Sequence, residues 1–341
     1  MFLNRKARTG TKNFLVRRPF FEIIGDLAEE KYICKVTRYL ALAERKHMSS
    51  LRLAHFYPWQ GIPDEFVQYP MRVFAEHGTE YLTFSDPQCL RMLERSGYAE
   101  WFFELAGRHG LKIKDVHGLA FRHYDLDTDD RELREKSIRD HIEVINRLGA
   151  LGVQTYTVHI GAALYVYPPF LDLPQLRENA LHTLENILPV AEKWGMKIAL
   201  ENAFEPPNAP DEIIWYIEQF RSPSLLCCFD SGHANYMKKE GKDLSKFNSY
   251  HLETTWRGNI CLEEDALGKL APYIVTCHLH DNSGYNDDHA LPGKGTTDWK
   301  DTISRLKKCP NIQSLQDETS VMRDRQTVRE MCEVFAALMK Y

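Results

Sequence analysis

The sequence predicts an α/β fold: a (β/α)₈ TIM barrel over residues 51–341, preceded by an N-terminal helical extension over residues 1–50. Three observations predict it. A chain of 341 residues holds one α/β barrel of about 250 residues with additions. From Leu51 onward, short apolar or β-branched runs alternate with longer stretches of helical period. From the third run on, each run closes on His, Asp or Glu, residue types that bind metals or move protons.

In chain order the strand-like runs are LRLAHFY, EYLTF, KIKDVHG, TYTVHIG, KIALEN, LLCCFDSGH, IVTCHLHD and IQSLQDE. Between them, RELREKSIRDHIEVINRLGALG and QLRENALHTLENILPVAEKWG read as helices; the second has Pro174 near its start and Gly195 just past its last apolar turn. Eight such units in series form either a closed barrel or a doubly wound sheet. Neither GxGxxG after the first run nor GxxxxGK[ST] anywhere is present, which argues against a nucleotide-binding sheet.

Two segments depart from the rhythm. Within residues 1–50, FFEIIGDLAEEKYICKVTRYLALAERKHM reads as helix, apolar on one face, after a basic start. It would cap the barrel bottom, cover the active-site mouth or dock on a partner subunit. Asn235–Glu264 is longer than a simple βα connection and carries Tyr250, His251, Trp256 and Arg257. It reads as a lid or partner insertion, or as a packed surface excursion.

Composition excludes several classes. Hydrophobic residues at 43% supply a large core, and charged residues at 27% do not reach the balance of a disordered chain. No apolar run approaches the roughly 20 residues of a membrane span, and MFLNRKARTGTKNF lacks the apolar stretch of a secretory signal. The expectation is a cytoplasmic protein without a membrane partner. Eight cysteines without a CxxC pair read as reduced, buried thiols. A net charge of −5 argues against a nucleic-acid partner.

In such a barrel, chemistry gathers at the C-terminal ends of the strands. There stand His117, His159, Glu201, Asp230 with His233, His278 with Asp281, and Glu318, at intervals of roughly thirty to fifty residues, about one βα unit each. Taken singly, each has a structural explanation: a hydrogen-bonded histidine, or an acid that caps a helix or faces solvent. Together they do not. An ionised carboxylate in a closed core is costly unless a cation or hydrogen bonds meet it, and several in one pocket repel unless a cation lies between them. A divalent ion answers both needs, and carboxylates with imidazole suit Mn²⁺, Mg²⁺, Co²⁺ or Zn²⁺.

These residues resemble the xylose isomerase-like barrel superfamily, which includes sugar isomerases and epimerases and endonuclease IV. The resemblance covers about residues 51–341 and rests on FDSGHAN and HLHDNSGYNDDHALPGKGTTDW, with LEN and QDET as shorter support. It implies one divalent metal ion, Mn²⁺ first, held by Glu201, Asp230, His278 and Glu318, and a small-molecule sugar or glycoside as substrate. His233, three residues after Asp230, would point at substrate oxygens. By analogy with endonuclease IV, His117, His159, His233, Asp287 and His289 would instead complete a three-zinc cluster. HGLAFRH lacks the nuclease pattern, and the wording of DSGHAN and LPGKGTTDW is closer to the sugar-directed branch.

The mechanism this implies is metal-assisted proton transfer beside a carbonyl. Glu201 and Glu318, on opposite sides of the metal, would remove and return the proton, with His159 as the other candidate base. His117, His233, His280, Asp287 and His289 would face substrate, and Trp59 would offer an apolar face to a sugar ring. The first alternative is elimination from a 3-keto C-glycoside, as in the catalytic subunit of bacterial C-glycoside deglycosidases, which resembles this chain and would bring an oligomer with a smaller partner subunit. A degenerate sugar-binding scaffold is the non-enzymatic alternative.

Overall fold

The β-branched and apolar runs become eight parallel strands: β1 Arg52–His55, β2 Tyr81–Phe84, β3 Lys112–His117, β4 Thr155–Val158, β5 Lys197–Glu201, β6 Leu225–Asp230, β7 Ile274–Leu279 and β8 Ser314–Asp317. They pair in sequence order, and β1 closes the ring on β8 from Arg52 opposite Ser314 to His55 opposite Asp317. The closed barrel replaces the doubly wound alternative. This computed structural model describes residues 51–120, 122–161, 173–246, 255–256 and 260–341. The extension over residues 1–50 lies outside the described residues, as do Tyr250, His251 and Arg257 of the expected insertion.

Helices return the chain between strands: α1 Gln68–Glu76, α2 Asp86–Glu94, α3 Tyr98–Arg108, α4 Arg131–Ala150, α5 Leu173–Trp194, α6 Pro210–Phe220, α7 Ser231–Met237, α8 Ala266–Leu270, α9 Trp299–Leu306 and α10 Val328–Leu338. Their ends follow the chemistry of the sequence. Asp130 caps α4 by accepting from the Glu132 and Leu133 amides, and Thr327 forms a reciprocal capping box with Glu330 on α10. Gly195 ends α5 at φ +65°, and the Met196 amide returns to the Ala191 carbonyl.

The core is two shells. Outward residues of the strands pack on the helices through Phe74, Phe84, Phe102, Ile187, Ile198, Ile213, Leu270, Ile303 and Phe335, all buried. Inward residues alternate with them, because side chains of a strand change face at every residue. The lower layer is polar: Asp115 accepts from Arg52, from the Thr155 hydroxyl at 2.7 Å and from the Ser314 hydroxyl at 2.7 Å. Two positions further along, the same parity places His117 above Asp115, His159 above Thr157, Glu201 above Ala199 and Glu318 above Gln316.

Among the described residues the cysteines follow the expectation with one correction, and Cys34 lies outside them. Cys89, Cys227, Cys228, Cys277, Cys309 and Cys332 are buried free thiols, whereas Cys261 is exposed. Among the described residues, no helix is long and apolar enough to cross a membrane.

Candidate metal centre

Strand pairing brings the candidate ligands together directly. Asp230 and His278 stand opposite each other across β6 and β7, and Glu201 stands opposite Cys228 across β5 and β6. His278 Nδ1 lies 3.0 Å from Glu201 Oε1 and 3.3 Å from Glu318 Oε2. One ligand atom each of Glu201, Asp230, His278 and Glu318 falls within 4.8 Å of all the others. These contacts lack hydrogen-bond geometry: Glu201 Oε2, Asp230 Oδ2, His278 Nδ1 and Glu318 Oε2 are buried without a hydrogen bond. Buried groups left in that state cost free energy that a divalent cation recovers, so the donor set fits a hard or borderline metal ion.

Two further groups adjoin the first. His117, His159 and Glu201 form one, with His159 Nε2 at 3.2 Å and His117 Nε2 at 3.7 Å from Glu201 Oε2. His233, His280, Asp287 and His289 form the other. His233 Nδ1 donates to the Asn202 carbonyl at 2.9 Å, which turns Nε2 toward Asp287 Oδ2 at 3.4 Å. His289 is held in the left-handed region at φ +46°, its Nδ1 on the Glu318 carbonyl at 2.8 Å and its Nε2 on Asp287 at 3.1 Å. A non-glycine residue there is strained, and the strain aims this ring into the site.

Electrostatics sort the groups. Burial opposes ionisation of Glu201, yet His278 and His159 outweigh it and hold its carboxyl well below the usual range. Glu318, partly exposed at the cavity, is drawn down to about 2 against burial, chiefly by His278. Burial also disfavours the charged form of His159, but Glu201 raises it to about 9. His233 rises well above the usual imidazole value against burial, through Asp230 and Asp287. Without a cation, the centre is therefore a set of imidazolium–carboxylate pairs.

A cavity of about 640 Å³ opens above this floor. His117, His159, Glu201, His233, Asp287, His289 and Glu318 line it, while Asp230 and His278 lie fully buried outside the lining. Two expectations need correction. Trp59 is fully buried and packs on Tyr57, Phe74 and Phe102, so it presents no face to a sugar. The short 3₁₀ turn at Trp59–Gly61 carries the indole into the helix layer. His280 also misses the cavity: it is fully buried, stacked on His289 at 3.8 Å with Nε2 3.1 Å from Asp230 Oδ2. It therefore lies behind the cavity lining.

Asp281, which shares a strand end with these residues, has a structural role. It accepts from the Gly293, Gly295 and Thr297 amides and from the Trp299 indole. LPGKGTTDW is thus a loop clasped on one carboxylate; a Cβ on Gly295 would meet the Asn282 carbonyl at 2.0 Å.

Other functional residues carried little signal in the sequence. Asn202 of LEN locks β5 to β6 by accepting from the Asp230 amide and donating to its carbonyl. Asp86 and Glu205 line the cavity, and burial pushes both carboxyls upward. Asp86 stands two residues past β2, where the strand-end rule applied one position later would have found it. Cys228 sits behind His278, its thiol pushed up to about 12 by burial, and so stays protonated at neutral pH.

The profile of the family described as xylose isomerase-like TIM barrel matches residues 71–334. The chain belongs to that family. An uncharacterised protein of Methanocaldococcus jannaschii is 25% identical over 216 residues, covering 61% of this chain and 64% of its own length; this chain thus spans less than two thirds of that curated relative. A 3-keto-D-glucoside 4-epimerase from E. coli superposes with a TM-score of 0.64 at 15% identity, covering 85% of this chain and 100% of the other. A D-psicose 3-epimerase from Clostridium cellulolyticum gives 0.60 at 16%, over 84% and 90%. A family protein from Mycobacterium smegmatis in complex with magnesium gives 0.63 at 15%, over 86% and 97%.

Proposed function

We propose that this protein is a divalent-metal-dependent enzyme that removes and returns a proton beside a carbonyl of a sugar or keto-sugar, in the manner of an isomerase or epimerase. The observation that carries the reading is the convergence of four ligand atoms, left without hydrogen bonds, at the base of a substrate-sized cavity. The family membership and the folds shared with sugar epimerases support it.

A cation bound by Glu201, Asp230, His278 and Glu318, Mn²⁺ first, would supply a Lewis acid for neighbouring substrate oxygens. Glu201 and Glu318 are held ionised at the cavity surface, and they approach His278 from β5 and from beyond β8, so each can take a proton from its own side of a bound substrate. His159, charged at neutral pH and 3.2 Å from Glu201, is placed to return a proton or to hold an oxyanion rather than to act as the first base. Asp86 and Glu205 line the cavity, where their carboxyls can hydrogen-bond to substrate hydroxyls.

Solvent-deuterium incorporation into a panel of ketoses and keto-glycosides, with Mn²⁺-loaded protein, tests the reading. Glu201→Gln and Glu318→Gln are each expected to lower exchange by about 10²–10⁴-fold with the circular dichroism unchanged. Exchange retained in both variants ends the two-carboxylate mechanism. A second reading, a phosphodiesterase of the endonuclease IV type with three zinc ions, is favoured by the additional groups around His117 and His233. Three tightly held zinc ions per chain, with DNA binding that falls steeply with salt, would favour it over the sugar enzyme.

A further inference from the structure

Six cysteines are buried among the described residues, and five of them have an ordinary packing place. Cys89, Cys227, Cys277, Cys309 and Cys332 belong to the apolar layer between strands and helices. Cys228 is not part of that layer. It stands two residues before Asp230 on β6, a spacing that turns both side chains to the inside of the ring. Across one seam it pairs with Glu201, and across the other with Thr276, two residues before His278. The thiol is thus fully buried one step below the level at which Asp230 faces His278.

One ligand atom each of Glu201, Cys228 and His278 lies within 4.8 Å of the other two. Glu201 Oε2 and both ring nitrogens of His278 are buried without a hydrogen bond, a state that favours a cation able to reach them. The trio differs in kind from the four ligands above it. Three carboxylates with one imidazole suit oxygen-preferring ions, whereas sulfur beside one carboxylate and one imidazole suits a thiophilic ion. Of the three residues, Glu201 lines the cavity, while Cys228 and His278 lie outside the lining. An ion held between them therefore sits beneath the floor. A neutral imidazole offers one lone pair, its other nitrogen carrying hydrogen. His278 accordingly serves one ion at a time, which makes the lower position an alternative to the upper one.

We propose that Glu201, Cys228 and His278 form a second, thiolate-containing position for a thiophilic divalent cation such as Zn²⁺ or Cd²⁺, and that its occupation excludes the ion held by Glu201, Asp230, His278 and Glu318. On binding, the Cys228 Sγ–H bond gives its proton to solvent and a sulfur lone pair forms the bond to the ion. The centre thereby sorts ions by softness: oxygen-preferring ions stay at the cavity floor, and thiophilic ones sink below it. The inference goes beyond the proton-transfer reading and does not depend on it.

The test titrates metal-free protein with Cd²⁺ and follows sulfur-to-cadmium charge-transfer absorption in the ultraviolet. The first equivalent should give the band in the parent. The exposed Cys261 and Cys34, outside the described residues, supply the controls. Cys34→Ser and Cys261→Ser should keep the band, and Cys228→Ser should lose it with the circular dichroism unchanged. Paramagnetic resonance of Mn²⁺ gives a second readout: one equivalent of Cd²⁺ should release Mn²⁺ from the parent. The Cd²⁺-to-Mn²⁺ affinity ratio should fall by at least about tenfold in Cys228→Ser. X-ray absorption at the cadmium edge, on protein carrying Cys34→Ser and Cys261→Ser, needs no change at Cys228 and should show one sulfur neighbour. No band with the first equivalent, a band that survives Cys228→Ser, or one abolished by Cys34→Ser or Cys261→Ser overturns the proposal. So does a band that develops while Mn²⁺ stays in place, since the two positions would then not be alternatives. A band in protein that never binds Mn²⁺ sinks the Mn²⁺ enzyme and leaves the thiolate position standing.

Discussion

Binding of the first Mn²⁺ to metal-free protein at pH 7 should release one proton. The count follows from Glu201, Glu318 and His278. Glu201 lies well below the usual carboxylate range and Glu318 at about 2, so both are already ionised and release nothing. Burial disfavours the imidazolium of His278, but the ionised Glu201 and Glu318 beside it outweigh this, and it lies well above the usual value. At pH 7 its Nδ1, between the two glutamates, is therefore protonated, and coordination requires that nitrogen's lone pair. Affinity should then rise about tenfold per pH unit, or about 1.4 kcal/mol, as pH rises toward the raised value, and flatten above it. Calorimetric titration in two buffers of different ionisation enthalpy gives the proton count, and repetition at pH 6, 7 and 8 gives the slope. A second ion at His233, Asp287 and His289 would displace about two more protons, because His233 is raised well above the usual value and His289 to about 9. A first equivalent that binds without proton release and without pH dependence would refute the reasoning, since His278 would then not be a ligand.

Two further predictions concern residues away from the ligands. Trp59→Ala should cost about 3–5 kcal/mol of stability, as for a fully buried aromatic, while KM in the deuterium-exchange assay stays unchanged; a raised KM in the folded variant would restore Trp59 to the substrate site. Asp127 is fully buried, both its carboxyl oxygens lack hydrogen bonds, and burial first, then Asp125, pushes it well above the usual range. Its protonated form is thus the folded form, and the stability it lends below the ordinary carboxylate range is lost as pH rises through its raised value. Asp127→Asn should melt higher than the parent at pH 8, by about 2–4 °C per kcal/mol recovered, with a flatter melting profile from pH 5 to 8. A lower melting point at pH 8 would contradict this.

Much of the molecule was legible in the sequence because the information is local. Hydrophobic period marks strands and helices, and a period of two along a strand means that Asp115 and His117, or Gln316 and Glu318, share a face wherever the strand lies. A barrel then needs only closure to bring His117, His159, Glu201, Asp230, His278 and Glu318 to one end. The same reasoning misplaced Trp59 and His280 for a physical reason. Beyond the last paired residue of a strand, alternation no longer governs direction, and packing decides. Packing carried the Trp59 indole into the helix layer and left His280 behind His289.

What tertiary structure alone decided is which surfaces meet. Asn202 and Asp230 are ordinary strand-end residues until β5 and β6 pair and clamp them. Asp281 looks like a ligand until four donors from its own following loop fill its oxygens. One wall of the cavity joins residues 56–58, 85–87 and 319–323, which no local pattern connects. They share a wall because ring closure places β1 between β8 and β2, and that adjacency is a property of the closed sheet, not of any segment of the chain.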